Sequence, residues 1–256
     1  MIESFVREID LSAIDLQFAG WRPHQQFLDA TASLSSMGCH YSQLSAGHSP
    51  HPPHAHVEEE LLIILDGEAD LVVASSPDDP SPRVEQAGRG KFVYYPAWLH
   101  HTIRNNSGGP VTYLMFKWSD PRSDVAVGSL LPDGVAAHSP FQGAGFFDVS
   151  PALNGAHGTG FSTAIVFEHG TPTLNNLHCH LTKLAPGAGY PAHADPYDVA
   201  IVLLQGSITI NGQAMAKAGV AYFSAGALHD MHNPGDLGAT YLVFEFHPPV
   251  EKSAGA

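Results

Sequence analysis

Short apolar runs separated by turn residues recur along the whole chain. Leu61–Leu65 is an apolar run that ends at the turn signal Asp66–Gly67, and Val111–Trp118 and Tyr241–Phe246 are similar runs. Runs of this length bounded by Gly, Pro or Asp are typical of buried β-strands. None approaches the roughly 18 residues that a membrane span requires. The pattern therefore predicts an all-β protein with little helix.

The second half of the chain repeats the first. The pairs at an offset of 140 (179 − 39) are Cys39/Cys179, His40/His180, Leu44/Leu184 and Gly47/Gly187. The pairs that follow deletions are His54/His193, Gly67/Gly206, His101/His229 and Asn105/Asn233, the last two at an offset of 128 (229 − 101). So many matches over about 90 residues indicate a tandem duplication.

The repeat divides the chain into four predicted segments. They are an N-terminal arm at residues 1–26, a first unit at 27–120, a connector at 121–160 and a second unit at 161–256. The connector is rich in Gly, Pro and Ser, with a short helix expected near Val125–Leu131. Each unit of roughly a hundred residues fits the ordinary size of a domain.

Composition excludes several classes of function. The formal net charge is −14 with only 11 Lys and Arg, which argues against nucleic acid and anionic membrane partners. Two cysteines do not indicate a disulfide framework. The first residues lack the basic start and apolar core of a signal peptide, so we expect a cytoplasmic protein.

Histidines concentrate in the stretch Gly47–Gly67, which reads GHSPHPPHAHVEEELLIILDG. His54 and His56 are two residues apart, and on a β-strand they would point to the same face. Glu60 follows four residues later. A second stretch, Gly90–Asn105, contributes another histidine, so the two together are candidates for a metal site.

These stretches resemble the two signatures of the cupin family. The first signature is matched by Gly47, His54, His56, Glu60 and Gly67, with one extra residue between Gly47 and His54. The second is matched by Gly90, Pro96, His101 and Asn105, but Trp98 stands where the family usually has Gly. With the duplication, the resemblance implies a bicupin, in which each unit is a double-stranded β-helix (jelly-roll) barrel. It also implies a metal held in the first barrel by His54, His56, Glu60 and His101.

The second unit departs from this pattern. It keeps His193 and His229, but Asp195 replaces the second histidine and Val199 falls where Glu60 does. Two histidines and a carboxylate can still bind a metal, and His180 can add a nitrogen if it faces inward. The alternative, which the loss of the glutamate favours, is a degenerate site without metal.

Three imidazoles and one carboxylate suit a divalent transition metal, with Fe(II) favoured and Mn, Ni, Cu, Co or Zn as alternatives. An octahedral ion with four protein ligands keeps two positions for a small organic substrate and O₂. This favours a dioxygenase, while an isomerase, a lyase, a hydrolase and a non-catalytic binding protein stay open because cupins serve all these functions.

Three residues near the signatures are candidates for catalysis: His40, Tyr95 and Arg104. His40 and Tyr95 are candidate bases, and Arg104 can hold a carboxylate. We expect a homodimer, because exposed sheet edges commonly drive the association of β-barrels.

Overall fold

The computed structural model describes residues 1–11, 19–31, 33–120, 141, 143–155 and 157–248. The strands of the first half are β1 (Phe5–Arg7), β2 (Trp21–Asp29), β3 (Ser36–Leu44), β4 (Glu59–Asp66), β5 (Glu68–Ala74), β6 (Arg83–Gly88), β7 (Lys91–Tyr95), β8 (His100–Arg104) and β9 (Val111–Ser119). The elements of the second half are β10 (Gly145–Asp148), α1 (Ser150–Leu153), β11 (Phe161–His169), β12 (Asn176–Leu184), β13 (Gly189–His193), β14 (Asp198–Gln205), β15 (Ser207–Ile210), β16 (Gln213–Ala216), β17 (Val220–Phe223), β18 (His229–His232) and β19 (Ala239–His247). The predicted all-β class is confirmed. The helix expected near Val125–Leu131 lies outside the described residues.

The strands build two jelly-roll barrels, each made of two sheets. In the first barrel a six-stranded sheet with the order β10-β7-β4-β9-β3-β2 packs on a three-stranded sheet, β6-β5-β8. In the second barrel a six-stranded sheet, β1-β17-β14-β19-β12-β11, packs on a four-stranded sheet, β13-β18-β15-β16. The expected tandem barrels are therefore confirmed. No helix among the described residues is long and apolar enough to cross a membrane.

Strand β4 is apolar without alternation because both of its faces are buried. Successive side chains on a strand point to opposite faces. Leu62 and Ile64 pack inside the first barrel, whereas Leu61 and Ile63 pack into a large cluster that both barrels share. The strand ends at Gly67, whose φ is +80° and where a Cβ would lie 2.4 Å from the carbonyl oxygen of Pro110, so this turn requires glycine.

The shared cluster lies between the two six-stranded sheets. Phe92 of the first barrel meets Phe244 of the second with ring centroids 5.7 Å apart, and Trp118 meets Phe246 at 5.3 Å. Both contacts are edge-to-face. Such pairs contribute about 0.5–1.5 kcal/mol each beyond the apolar area that they bury. Both cysteines, free thiols, are buried in the same cluster.

The leading strand of each repeat crosses to the other barrel. Strand β1 pairs with β17, where Phe5 lies opposite Tyr222, and β10 pairs with β7, where Gly145 lies opposite Tyr94. Tyr94 and Tyr222 are equivalent at the offset of 128 (222 − 94), so Phe5 and Gly145 are equivalent at 140 (145 − 5). The N-terminal arm and the connector thus contain matching strands. The domain limits given above stay a prediction.

Two buried carboxylates tie the barrels together in a matching way. Glu59 of the first barrel accepts hydrogen bonds from the backbone N–H of Thr173 (2.7 Å) and the hydroxyl of Tyr94 (2.9 Å). Asp198 of the second barrel accepts hydrogen bonds from the hydroxyl of Thr31 and the N–H of Ala225. Both carboxylates are fully buried. Burial raises the pKa of Glu59, and its hydrogen bonds offset part of that rise.

Replacing Tyr94 by Phe tests this contact. We expect Tyr94→Phe to lower the free energy of unfolding by about 1.5–3 kcal/mol, because it removes a hydrogen bond to a buried charged group. Urea denaturation measures the change. In a Glu59→Gln background the same substitution should cost only about 1 kcal/mol, since the acceptor is then neutral. Equal costs in both backgrounds would show that the hydroxyl of Tyr94 does not act through Glu59.

Candidate metal centre

The histidines of the first signature do not lie on a regular strand. His54 forms an isolated antiparallel bridge with His101, with backbone N–O distances of 3.2 and 3.0 Å. His56 lies in the loop that follows, and β4 begins only at Glu59. The strand geometry expected for His54 and His56 is therefore wrong. Their rings still approach, with centroids 5.1 Å apart, because the bridge and the loop turn both towards the barrel interior.

Three of the four expected ligands converge. The Nε2 atom of His56 lies 3.4 Å from Oε2 of Glu60, and Nε2 of His101 lies 3.3 Å from the same oxygen. The three donor atoms lie within 4.8 Å of one another. Ligands held at roughly 2.0–2.2 Å from one ion are about 3–3.5 Å apart. The spacing therefore fits a single transition metal ion.

Backbone carbonyls orient both imidazoles. Nδ1–H of His56 donates to the carbonyl of Glu58 (2.9 Å), and Nδ1–H of His101 donates to the carbonyl of Leu99 (2.8 Å). Each Nε2 then carries the lone pair and faces Glu60. Fixing the tautomer through the other ring nitrogen is usual for metal-binding histidines.

His54 stands slightly apart from this group. Its ring centroid is 5.5 Å from that of His101, and its Nδ1 is buried without a hydrogen-bond partner. Burial, aided by the neighbouring histidines, lowers the pKa of His54 to about 4, so the ring is neutral at neutral pH. A neutral imidazole with an unpartnered nitrogen beside three donors suits a fourth ligand. The residues present therefore fit the metal that the resemblance implies.

Lys117 is a residue of this site that the sequence analysis missed. It lies opposite Glu60 in the β4–β9 register, and its Nζ is 3.1 Å from Nε2 of His56 and 3.3 Å from Oε2 of Glu60. Burial raises the pKa of Glu60, but the polar contacts with His101 and His56 and the charge of Lys117 outweigh it and hold this pKa well below its usual value. No motif contains Lys117, and only the strand register would have revealed it.

The three residues expected to be catalytic lie in different surroundings. His40 is half-buried, its Nδ1 lies 3.0 Å from Oγ of Ser42, and burial lowers its pKa. Tyr95 is fully buried and stacks on His101 at 4.2 Å, and burial raises the pKa of its hydroxyl well above the usual value. Arg104 follows Ile103, which packs inside the barrel, so strand alternation turns Arg104 away from the interior.

The described residues leave little room around the donors. Glu60, His101 and Lys117, together with Trp21 and Met115, line a cavity of about 20 Å³. A cavity of this size holds one water or one ion. An organic substrate that enters this cavity therefore requires at least one lining side chain to move.

Trp98 occupies a strained position beside the site. Its φ is +63°, and the matching Gly226 of the second barrel has φ +80°. The left-handed region costs a residue with a Cβ about 1–2 kcal/mol. The N–H of Trp98 donates to the carbonyl of His56 (2.8 Å), and its side chain is 67% exposed. Trp98 thus adopts the left-handed backbone conformation that glycine has at the matching position. The turn and its hydrogen bond to His56 are therefore preserved.

In the second barrel, His193, Asp195 and His229 form a looser group. Nε2 of His193 and of His229 lie 3.8 and 3.6 Å from Oδ2 of Asp195. The side chain of His193 is 47% exposed, and Val199 is buried in the apolar core as the alignment of the repeats predicts. The degenerate site without metal, which the loss of the glutamate favours, stays a prediction.

Comparisons with known proteins agree with this architecture. The cupin domain family matches residues 40–117. A mutant of oxalate decarboxylase from Bacillus subtilis superposes with a TM-score of 0.60 at 15% identity, covering 98% of this chain and 79% of that chain. The first barrel thus matches the cupin domain family, and the chain as a whole has the fold of two tandem jelly-roll barrels. No curated protein matches it by sequence.

Two further solved structures are similar in fold. Salicylate 1,2-dioxygenase from Pseudoaminobacter salicylatoxidans gives a TM-score of 0.58 at 14% identity, covering 84% of this chain and 71% of that chain. A cupin 2 conserved barrel domain protein from Leptotrichia buccalis gives 0.60 at 10% identity, covering 92% and 93%. At these identities the likeness concerns the fold.

The position of Lys117 leads to a test of the candidate metal site. Lys117→Met should raise the affinity for Co²⁺ by roughly tenfold or more, because it removes a positive charge that lies about 3 Å from two donors. Competition with a chromogenic chelator measures the affinity. His56→Ala should lose the ion.

Lys91→Met is the matched control, because Lys91 lies on β7 and pairs with Asp148 outside the site. It should leave the affinity unchanged. Weaker binding by Lys117→Met would contradict the view that its ammonium competes with the ion.

Proposed function

We propose that the first barrel is the catalytic centre of a metal-dependent enzyme in which His54, His56, Glu60 and His101 hold one divalent ion. The observation that carries the proposal is the donor set, with two oriented imidazoles 3.3–3.4 Å from one carboxylate oxygen. Fe(II) is favoured, and Mn, Ni, Cu, Co or Zn are alternatives. A bound Fe(II) would supply a Lewis acid for a chelating substrate oxygen and a redox centre for O₂.

The substrate class that we propose is a small organic acid. Three neutral imidazoles and one carboxylate leave a divalent ion with a net charge of about +1, and the ammonium of Lys117 adds another positive charge. Oxalate decarboxylase and salicylate 1,2-dioxygenase, whose folds are similar, are named for carboxylic acids. This supports an anionic substrate that the site attracts electrostatically.

Lys117 would make room for that substrate. An ion bound at the donors repels an ammonium that lies about 3 Å from them. The side chain of Lys117 is 30% exposed and flexible, so it can swing outwards and enlarge the small cavity. From there its ammonium would pair with the substrate carboxylate and orient the molecule.

The other candidates have distinct parts in this proposal. His40 is kept neutral by burial, so it can accept a proton from the substrate. Tyr95 stays protonated and supports the ring of His101 by stacking. The role predicted for Arg104 stays a prediction, because its strand position turns it away from the cavity.

Dioxygenation is the reaction that we place first, and a lyase reaction is the alternative. The likeness to oxalate decarboxylase supports the lyase, and the likeness to salicylate 1,2-dioxygenase supports the dioxygenase, each at the level of fold. An isomerase or a non-catalytic binding cupin would use the same donors. Dependence on oxygen separates these possibilities.

An assay with dissolved oxygen tests the reaction. Fe(II)-loaded protein is screened against small hydroxy, keto and aromatic acids while O₂ and product are followed. We expect one molecule of O₂ to be consumed per turnover, with no turnover in its absence. Turnover that continues without oxygen would reject the dioxygenase and favour the lyase or isomerase.

Lys117→Met then tests the substrate class in the same assay. It should raise KM for the acid by about tenfold or more and change kcat less, because the pairing with the carboxylate is lost while the ion is retained. Lys91→Met serves again as the control.

We also propose a homodimer. Strands β2 and β11 are edge strands of the two six-stranded sheets, and they expose Leu28 (68%) and Ile165 (63%). Exposed apolar edges favour association. Light scattering should give twice the mass of the chain, and Ile165→Lys or Leu28→Lys should shift it towards the monomer. A monomer at working concentrations would reject the proposal.

A further inference from the structure

A second cluster of ligand-type side chains lies inside the second barrel, on β12 and β19 rather than on β13 and β18, which carry His193 and His229. His178 on β12 lies directly opposite Glu168 on β11 and Glu245 on β19 in the strand register. His180 is two residues further on the same face. The side chains of His178, His180 and Glu245 are only 12%, 18% and 15% exposed.

The donor atoms of this cluster converge. Nε2 of His178 lies 3.0 Å from Nδ1 of His180, and that nitrogen lies 3.8 Å from Oε1 of Glu245. All three donors lie within 4.8 Å of one another. Two imidazoles and a carboxylate form the facial set that divalent transition metals use.

Neighbouring groups orient the two outer members of the cluster. Nδ1–H of His178 donates to Oε1 of Glu168 (2.7 Å), which leaves its Nε2 as the lone pair facing inward. Nε2–H of His247 donates to Oε2 of Glu245 (2.9 Å), and the ring of His247 stacks on Tyr197 at 3.8 Å. A carboxylate behind a histidine is the usual support of a metal-binding imidazole.

The charges around the cluster suit a cation. Two carboxylates, Glu168 and Glu245, flank the imidazoles of His178 and His180 in a partly buried place.

The first barrel has no counterpart of this cluster. The positions matching His178 and Glu245 hold Gly38 (178 − 140) and Lys117 (245 − 128). The position matching Glu60 is Val199. The carboxylate therefore stands one strand further along the sheet in the second barrel, on β19 next to β12, which carries His178 and His180.

We propose that His178, His180 and Glu245 bind one divalent transition metal ion, such as Zn²⁺, in the second barrel. His180 also lines an open cleft of about 370 Å³ together with Tyr190 and His193. A small ligand in this cleft would reach the open positions of the ion. The inference does not depend on the function proposed for the first barrel.

Counting metal ions tests the proposal. Full-length protein is stripped with a chelator and dialysed against Zn²⁺, and metal per chain is measured by elemental analysis. We expect His180→Ala and Glu245→Gln each to hold one ion fewer than the wild type. His193→Ala reports on the separate group of His193, Asp195 and His229, so any loss of metal from it must be additional to the loss from His180→Ala. An unchanged metal count in His180→Ala would overturn the proposal.

Glu168→Gln provides a second variant that leaves the three ligands in place. Glu168 is 39% exposed, so its replacement spares the core. Loss of the support behind His178 should weaken Zn²⁺ binding 10–100-fold at this site, measured by competition with a chelator. Glu85→Gln, an exposed carboxylate paired with Arg83, is the control. If His180→Ala does not fold, unchanged affinity in Glu168→Gln overturns the proposal.

Discussion

The two six-stranded sheets bury one face against each other, and the positions of the metal donors follow from that contact. Glu59 points into the contact and accepts hydrogen bonds from Tyr94 and from Thr173 of the other barrel. Because strand neighbours point to opposite faces, the next residue, Glu60, must point into the first barrel. Packing therefore fixes both faces of β4. The carboxylate of Glu60 cannot turn away from the histidines without disturbing the contact between the barrels.

At the first site, Lys117 and a bound divalent ion would compete for the same donors. Oε2 of Glu60 lies 3.3–3.4 Å from Nε2 of His101 and His56, and 3.3 Å from the ammonium of Lys117. The same three donors cannot hold an ammonium and a divalent ion at once, because like charges about 3 Å apart repel strongly in a partly buried place. In the proposed function, Lys117 therefore links metal occupancy with the space and the charge available to a substrate.

The duplicated barrels have kept their backbone and changed their chemistry. Glu59 and Asp198 have the same part in the contact between the barrels, and Gly67 and Gly206 end matching strands at a φ of +80°. Inside the barrels, Glu60 and Lys117 correspond to Val199 and Glu245. Residues that hold the barrels together are thus retained, while the inward positions differ, since an inward side chain can change without altering the strand that carries it.

The amino-acid sequence by itself determined the strand-rich fold, the duplication and the identity of the signature residues. Short apolar runs, turn residues and motif spacing are local features, so they can be recognised along the chain. Lys117 beside His56, and Glu168 and Glu245 beside His178, were decided by the tertiary structure. The tertiary structure also decided that the leading strands β1 and β10 pair with strands of the other barrel. Their partners are distant in the chain, as His56 and Lys117 are at 61 residues apart, and they become neighbours only through the register of paired strands, which local composition does not specify.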